Sequence, residues 1–197
     1  YYMLYHNQLV ATGMVNDGDD ALNVNVDRSY RRGVEIMASW KTAKWLTLSG
    51  NVTLSQNRIQ DYVDELRNSP TYGQNLGDMT ISYSPSVMGA VTADFHVKGF
   101  GLIWNTQYVG KQYFTNNEIE ALSLDAYCVT NLDLGYTFKM CDDRSVRFGV
   151  VVNNLFSTLY ESNGYGYSYM WDGVRYDEAF YFPQAPINVL ANITVNF

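Results

Sequence analysis

The run Ile187-Asn-Val-Leu-Ala-Asn-Ile-Thr-Val-Asn-Phe197 decides the fold. Ile187, Val189, Ala191, Ile193, Val195 and Phe197 take every second place. Asn188, Asn192, Thr194 and Asn196 sit between them, with Leu190 the one exception. Successive side chains of a strand point to opposite faces, so this spacing predicts a β-strand with one apolar and one polar side. Working backwards, Val146, Phe148, Val150 and Val152 oppose Arg147, Gly149 and Asn153, and Leu132, Leu134, Tyr136 and Phe138 oppose Asn131, Asp133, Gly135 and Thr137. Leu46, Leu48, Val52 and Leu54 repeat the pattern against Thr47, Ser49, Asn51, Thr53 and Ser55. A helical period of 3.6 would scatter these residues around the axis, so the chain reads as all-β.

Eight strands are predicted, at about 1–9, 26–40, 45–58, 79–97, 100–114, 127–139, 146–157 and 186–197. Several exceed the five or six residues usual in globular sheets and match the length of tilted strands that cross a bilayer. Their connections alternate in length. Short turns lie at 41–44, 98–99 and 140–145, and long loops at about 10–25, 59–78, 115–126 and 158–185. Every short turn falls on the side of the C-terminus, the asymmetry of an outer-membrane β-barrel with periplasmic turns and extracellular loops. Trp40 and Trp45 bracket one short turn, where an interfacial aromatic girdle belongs. The run 118–126 is read as one helical turn within a loop.

Composition narrows the function. Charged residues are 17% of the 197 and aromatics 15%, while no apolar run approaches the roughly 20 residues of a membrane-spanning helix. A net charge of −7 argues against a nucleic-acid partner. Fourteen of the twenty acids lie in the long loops, where they solvate exposed chain. Cys128 and Cys141 fall near opposite ends of one strand, roughly 40 Å apart at about 3.3 Å per residue, so free thiols are expected. The chain opens inside a strand-like run without a signal peptide, which reads as a processed chain or a piece of a longer one.

The later strands carry a resemblance. Val152-Asn-Asn-Leu-Phe156 followed by Tyr160 resembles the "NLF…Y" signature of TonB-dependent outer-membrane receptors. Tyr181-Phe-Pro-Gln-Ala185 with the closing strand to Phe197 is similar to those receptors in the Bacteroidetes. Ser29-Tyr-Arg-Arg-Gly-Val-Glu35 resembles their "SxRxGxE" strand and Tyr108-Val-Gly110 their "YVG" strand. Phe197 resembles the terminal aromatic that the barrel-assembly machinery recognises. The resemblance implies an antiparallel transmembrane β-barrel wall, residues 1–197 being a single segment and the C-terminal third of a 22-stranded barrel, with no plug domain present. It implies a multi-pass protein of a Gram-negative outer membrane that takes up a scarce nutrient: an iron chelate, haem, cobalamin or a glycan. Its partners would be outer-membrane lipid and lipopolysaccharide, the TonB energy-coupling system through the missing plug, and a small-molecule or glycan ligand. Two rivals remain open: a complete eight-stranded barrel with an adhesive or structural role, and a soluble lipocalin-like carrier whose apolar faces enclose a ligand.

No catalytic, cofactor or metal site is expected. Asp17-Gly-Asp-Asp20 hints at a calcium loop, but the twelfth position, where an EF-hand needs Glu, is Arg28, so a solvated turn is the better reading. His96 shares a face with Asp94 and is expected to line the interior. Asp142 and Asp143 occupy a tight turn. No Ser-His-Asp, Cys-His or glycine-rich phosphate motif is visible, and the chain is read as not an enzyme. The one concentration of recognition chemistry is the last loop, where aromatics alternate with Gly164, Gly166 and Gly173. Tyr165, Tyr167, Tyr169 and Trp171 are the expected ligand contacts on a flexible loop, with mutual packing and contact with lipopolysaccharide as the competing readings. Arginine at Val150 or Val189 should block assembly, and at Asn153 or Asn192 should be tolerated.

Overall fold

The computed structural model describes residues 1–15, 21–140 and 144–197. Its strands are β1 (Tyr2–Val15), β2 (Ala21–Ala43), β3 (Leu46–Ile59), β4 (Met79–Thr80), β5 (Val87–Val97), β6 (Phe100–Val109), β7 (Gln112–Tyr113), β8 (Ser123–Leu124), β9 (Tyr127–Lys139), β10 (Ser145–Asn153), β11 (Glu161–Trp171), β12 (Val174–Pro183) and β13 (Asn188–Asn196). One antiparallel sheet runs β1-β2-β3-β5-β6-β9-β10-β13, with β4 paired on β3. Two small hairpins, β7–β8 and β11–β12, stand outside it. The eight long strands are those expected from the alternation, and β1 does not pair with β13, so the sheet does not close.

Register turns the alternation into a wall. Ile36 faces Val52, Val52 faces Gly89 and Gly89 faces Tyr108. Further along, Trp104 faces Leu132, Leu132 faces Val152 and Val152 faces Val189. Directly paired residues share a face, so the apolar positions merge into one continuous band across the sheet. Nothing among the described residues covers most of it: Ile36 is 57% exposed, Val189 60% and Ile193 66%. That is a severe cost in water and none in hydrocarbon. Trp40 and Trp45 are both exposed at the short-turn end, Trp45 edge-on to Phe95 at 5.3 Å.

The opposite, inner face is polar. Asn105 donates to Thr92 Oγ1 at 2.9 Å, and Arg147 pairs with Asp133 and reaches Asn192. A Cβ on Gly135 or Gly149 would meet the Arg147 side chain at 2.5 Å, so these glycines leave room for the guanidinium to lie flat on the sheet. His96 Nδ1 lies 2.6 Å from Asp94 Oδ1, the shared face expected of them. Leu190, the exception in the last strand, faces Val151 on this inner side.

Several boundaries differ from expectation. The loop read at 10–25 is largely strand, because β1 runs to Val15 and β2 starts at Ala21. The strand read at 79–97 breaks: after β4 the chain leaves the sheet, bends through Pro85 and rejoins it at Val87. β6 ends at Val109 rather than 114, and β10 at Asn153 rather than 157, where Asn154 takes a positive φ of 50°. A 3-10 turn at Glu120–Leu122 falls in the run read as one helical turn. Cys128 is free and exposed; Cys141, Asp142, Asp143 and the Asp17–Asp20 loop lie outside the described residues.

Candidate functional site

The loops gather at one end of the sheet, on its inner side. Ser55 donates to the Pro85 carbonyl at 3.1 Å, drawing the β3–β5 connection inward. Ile59, Tyr62 and Ile81 bury one another with Val10 and Val26 from β1 and β2. Within this loop the buried Asp64 carboxylate accepts from the Leu66 amide at 3.0 Å and from Ser69 at 3.1 Å, and also from Thr71. Burial, then the Glu65 and Asp64 carboxylates, push the Tyr62 hydroxyl up to about 12. The next loop builds a second core from Phe114, Leu122 and Leu124. Glu118 ties the two loops together, accepting from Arg58 at 3.2 Å and from the Thr80 amide at 2.9 Å.

The segment expected to be a flexible loop is instead an ordered hairpin, β11–β12, with Tyr165 opposite Phe180, Tyr167 opposite Glu178, Tyr169 opposite Tyr176 and Trp171 opposite Val174. Its turn is Asp172-Gly173, both at positive φ (48° and 75°), which suits the twist of a two-residue hairpin connection. The alternation that makes a strand sorts its residues into two uses. Gly164, Gly166 and Ser168 are buried on one face, and a Cβ on Gly164 or Gly166 would come within 2.9 Å of Phe114. Glycine is therefore what lets the hairpin lie on the second core. Tyr83 donates to the Gly164 carbonyl at 3.1 Å and fastens it.

The other face carries the four predicted contact residues together. Tyr165 stacks on Phe180 at 4.9 Å and 14°, and Tyr169 on Tyr176 at 5.5 Å and 15°. Tyr167 and Tyr169 both donate to the Glu178 carboxylate, at 3.0 and 2.8 Å. Accepting that hydrogen bond, Glu178 pushes the Tyr169 hydroxyl pKa up. Trp171, at the turn, is 70% exposed. The result is a half-exposed aromatic ladder around one carboxylate, pointing away from the loop core.

The sequence family described as "TonB dependent receptor-like, beta-barrel" matches residues 1–155. The chain belongs to that family. Solved receptors agree in fold. The siderophore receptor PiuA of Acinetobacter baumannii superposes with a TM-score of 0.69 at 14% identity, over 99% of this chain and 25% of its own. The ferric-catecholate import receptor Fiu of E. coli K12 gives 0.64 at 16%, over 99% and 24%. The ferric yersiniabactin uptake receptor FyuA of Yersinia pestis gives 0.62 at 17%, over 94% and 26%. The chain thus spans about a quarter of the length of these receptors.

As a portion of a TonB-dependent receptor barrel, the chain supplies eight strands of the sheet together with the loops that gather at one end of it. Glu178 and the seat formed by Phe114 and Leu122 were not singled out from sequence. The signal for the hairpin was present: Gly-Tyr-Gly-Tyr-Ser-Tyr over 164–169 alternates with period two and runs to Asp172-Gly173, a strong hairpin turn. On the opposite face of β11–β12 Arg175 is held by Asp177 at 2.9 Å and donates to Ser168 at 2.9 Å.

Proposed function

We propose that this chain forms part of the lipid-facing wall and the ligand-facing mouth of an importer in a Gram-negative outer membrane, energised through TonB, with a scarce nutrient as its cargo. The observation that carries this reading is the division of labour in one sheet. An uncovered apolar band spans the strands on one side, and the loops gather at one end over the polar side. A lipocalin-like carrier would place its apolar faces within and its loops over them, the reverse of this arrangement. A complete eight-stranded barrel would pair β1 with β13, and these two strands do not pair with each other.

At the mouth, Tyr165, Tyr167, Tyr169 and Trp171 contact the ligand. Aromatic faces held rigid by mutual stacking lose little entropy on binding and suit a flat or ring-shaped molecule. The names of PiuA, Fiu and FyuA supply a precedent, iron chelates. The test uses the full-length receptor in its own host. Removing the gene should abolish growth on one scarce nutrient, and wild type should restore it. Tyr165→Ala with Tyr169→Ala should restore it only at raised nutrient concentration, with normal receptor levels in the outer membrane. Full restoration at limiting concentration would remove these residues from the site.

A further inference from the structure

Glu178 sits in the middle of the aromatic ladder on β11–β12. Tyr167 stands directly opposite it, and the pairs Tyr165–Phe180 and Tyr169–Tyr176 flank it along the strands. The five rings form one chain, from Tyr165 through Phe180, Tyr167 and Tyr169 to Tyr176, with successive centroids 4.9, 6.2, 6.3 and 5.5 Å apart. Tyr167 donates to one carboxylate oxygen, Oε2, and Tyr169 to the other, Oε1. These bonds orient the carboxylate without neutralising it. A carboxylate offers about four acceptor positions, so half of its capacity remains. Among the described residues no lysine, arginine or histidine pairs with Glu178. Asp177, one place away on the other face of the hairpin, has its cation in Arg175. The half-buried acid among the rings is the one left with its charge unmatched.

We infer that the ladder binds an organic ammonium group carried by the ligand, with Glu178 as its counter-charge and the rings of Tyr176 and Trp171 as its seat. Tyr176 ends the chain of rings, and the exposed Trp171 is its diagonal neighbour across the hairpin, roughly 7 Å away between Cβ atoms. An ammonium group is drawn to the face of such rings by their quadrupole, most strongly by tryptophan. Glu178 lies one same-face step behind Tyr176, within reach of a cation held there. Other ligand classes match the set less well. A hydrated metal ion gains little from aromatic faces, an anion meets repulsion from the carboxylate, and a neutral sugar leaves that charge unmatched. Accepting the Tyr169 hydrogen bond, Glu178 also holds that phenol neutral, so the ladder presents one negative charge rather than two. In a chain of net charge −7 the wider field draws cations in the same direction. The inference rests on the ligand-facing mouth proposed above and gives its cargo a charge.

The test is saturation-transfer NMR of the full receptor in a maltoside detergent, titrated with choline and with its neutral isostere 3,3-dimethylbutan-1-ol. Wild type should bind choline roughly tenfold more tightly than the isostere, which has the same shape and no charge. Glu178→Gln keeps an acceptor for the phenols and removes the charge; it should weaken choline binding about fivefold and leave the isostere unchanged. Tyr176→Leu keeps apolar bulk and removes the ring face; it should weaken choline about threefold, and it serves if the Glu178 variant does not fold. Asp125→Asn, at an exposed acid of the neighbouring loop, should bind as wild type. Equal affinity for the two probes, no binding of choline, or equal losses in the Glu178 and Asp125 variants overturns the cation site. Nutrient-limited growth of the Tyr165→Ala, Tyr169→Ala variant reads the mouth separately. Full growth there removes the mouth itself, whereas impaired growth with equal probe affinities removes only the charge of the cargo.

Discussion

Val150 and Asn153 stand three positions apart on β10 and lie on opposite faces of the sheet. Val150 lies between Leu134 and Ala191 in the apolar band, while Asn153 pairs with Asn188 on the inner side. Arginine at Val150 should cost about 2–4 kcal/mol near the bilayer midplane and prevent accumulation of folded receptor, whereas Asn153→Arg should reach normal levels. Outer-membrane yield and heat-modifiable gel mobility check both. Asn192 differs from its sequence reading as a tolerant site: its amide meets Arg147, so a second guanidinium there adds like-charge repulsion. Gly166 is tight in another way. A Cβ would lie 2.8 Å from both Leu122 and the Glu178 carbonyl, and Gly166→Val should cost about 1–3 kcal/mol of local stability, read as faster proteolysis of the hairpin. Tyr62 carries a pH signature. Its folded pKa of about 12 exceeds the ordinary 10.0, so the fold favours the neutral phenol. That contribution is complete below about pH 10 and is lost as pH rises towards 12. In the alkaline absorbance difference between wild type and Tyr62→Phe, the missing phenol should titrate near 12; titration near 10 would show that the residue is not buried.

The strands differ in how openly their sequences state them. β9, β10 and β13 alternate over most of their length, Val151 and Leu190 being paired exceptions on the inner side, so nearly every position obeys the same rule and the sequence reads directly. β5 was overextended because Ile81 is apolar for a different reason, burial in a loop core with Tyr62 and Ile59, and periodicity cannot separate the two causes. β11–β12 falls in a run whose sequence reads as a loop because its strands belong to no wall, although alternation and the Asp172-Gly173 turn both point to a hairpin. The four candidate contact residues are legible as an aromatic concentration; their common face and their carboxylate, Glu178, are not, since both follow from register. The seat of this element is Phe114, 2% exposed and in ring contact with Tyr83 and Tyr181. Phe114→Ala should cost about 3–5 kcal/mol, spent locally on detaching the hairpin. Limited proteolysis should then cut between 161 and 183 while the wall strands stay protected; cleavage spread equally over the wall would contradict an independent hairpin.

Across the molecule, the two edge strands of the sheet set a limit. β1 and β13 each present backbone N–H and C=O groups that hydrocarbon cannot satisfy, at several kcal/mol per group. The inner face between them is largely small and polar, with the Asp133–Arg147–Asn192 cluster as its chief ionic feature, and does not supply the packing of a narrow closed barrel. The 197 residues alone, refolded in detergent micelles, should therefore give no heat-modifiable, protease-resistant band; such a band would restore the eight-stranded reading. If one face of this sheet meets lipid and the other water, small probes dissolved in each will reach alternate residues of a strand. Nitroxide labels placed singly from Val146 to Asn153 in the full receptor, reconstituted in lipid vesicles, test it most directly. Collision with dissolved oxygen should peak at 146, 148, 150 and 152, and collision with a water-soluble nickel complex at the positions between. Uniform accessibility, or alternation of the opposite phase, would contradict a lipid-facing wall.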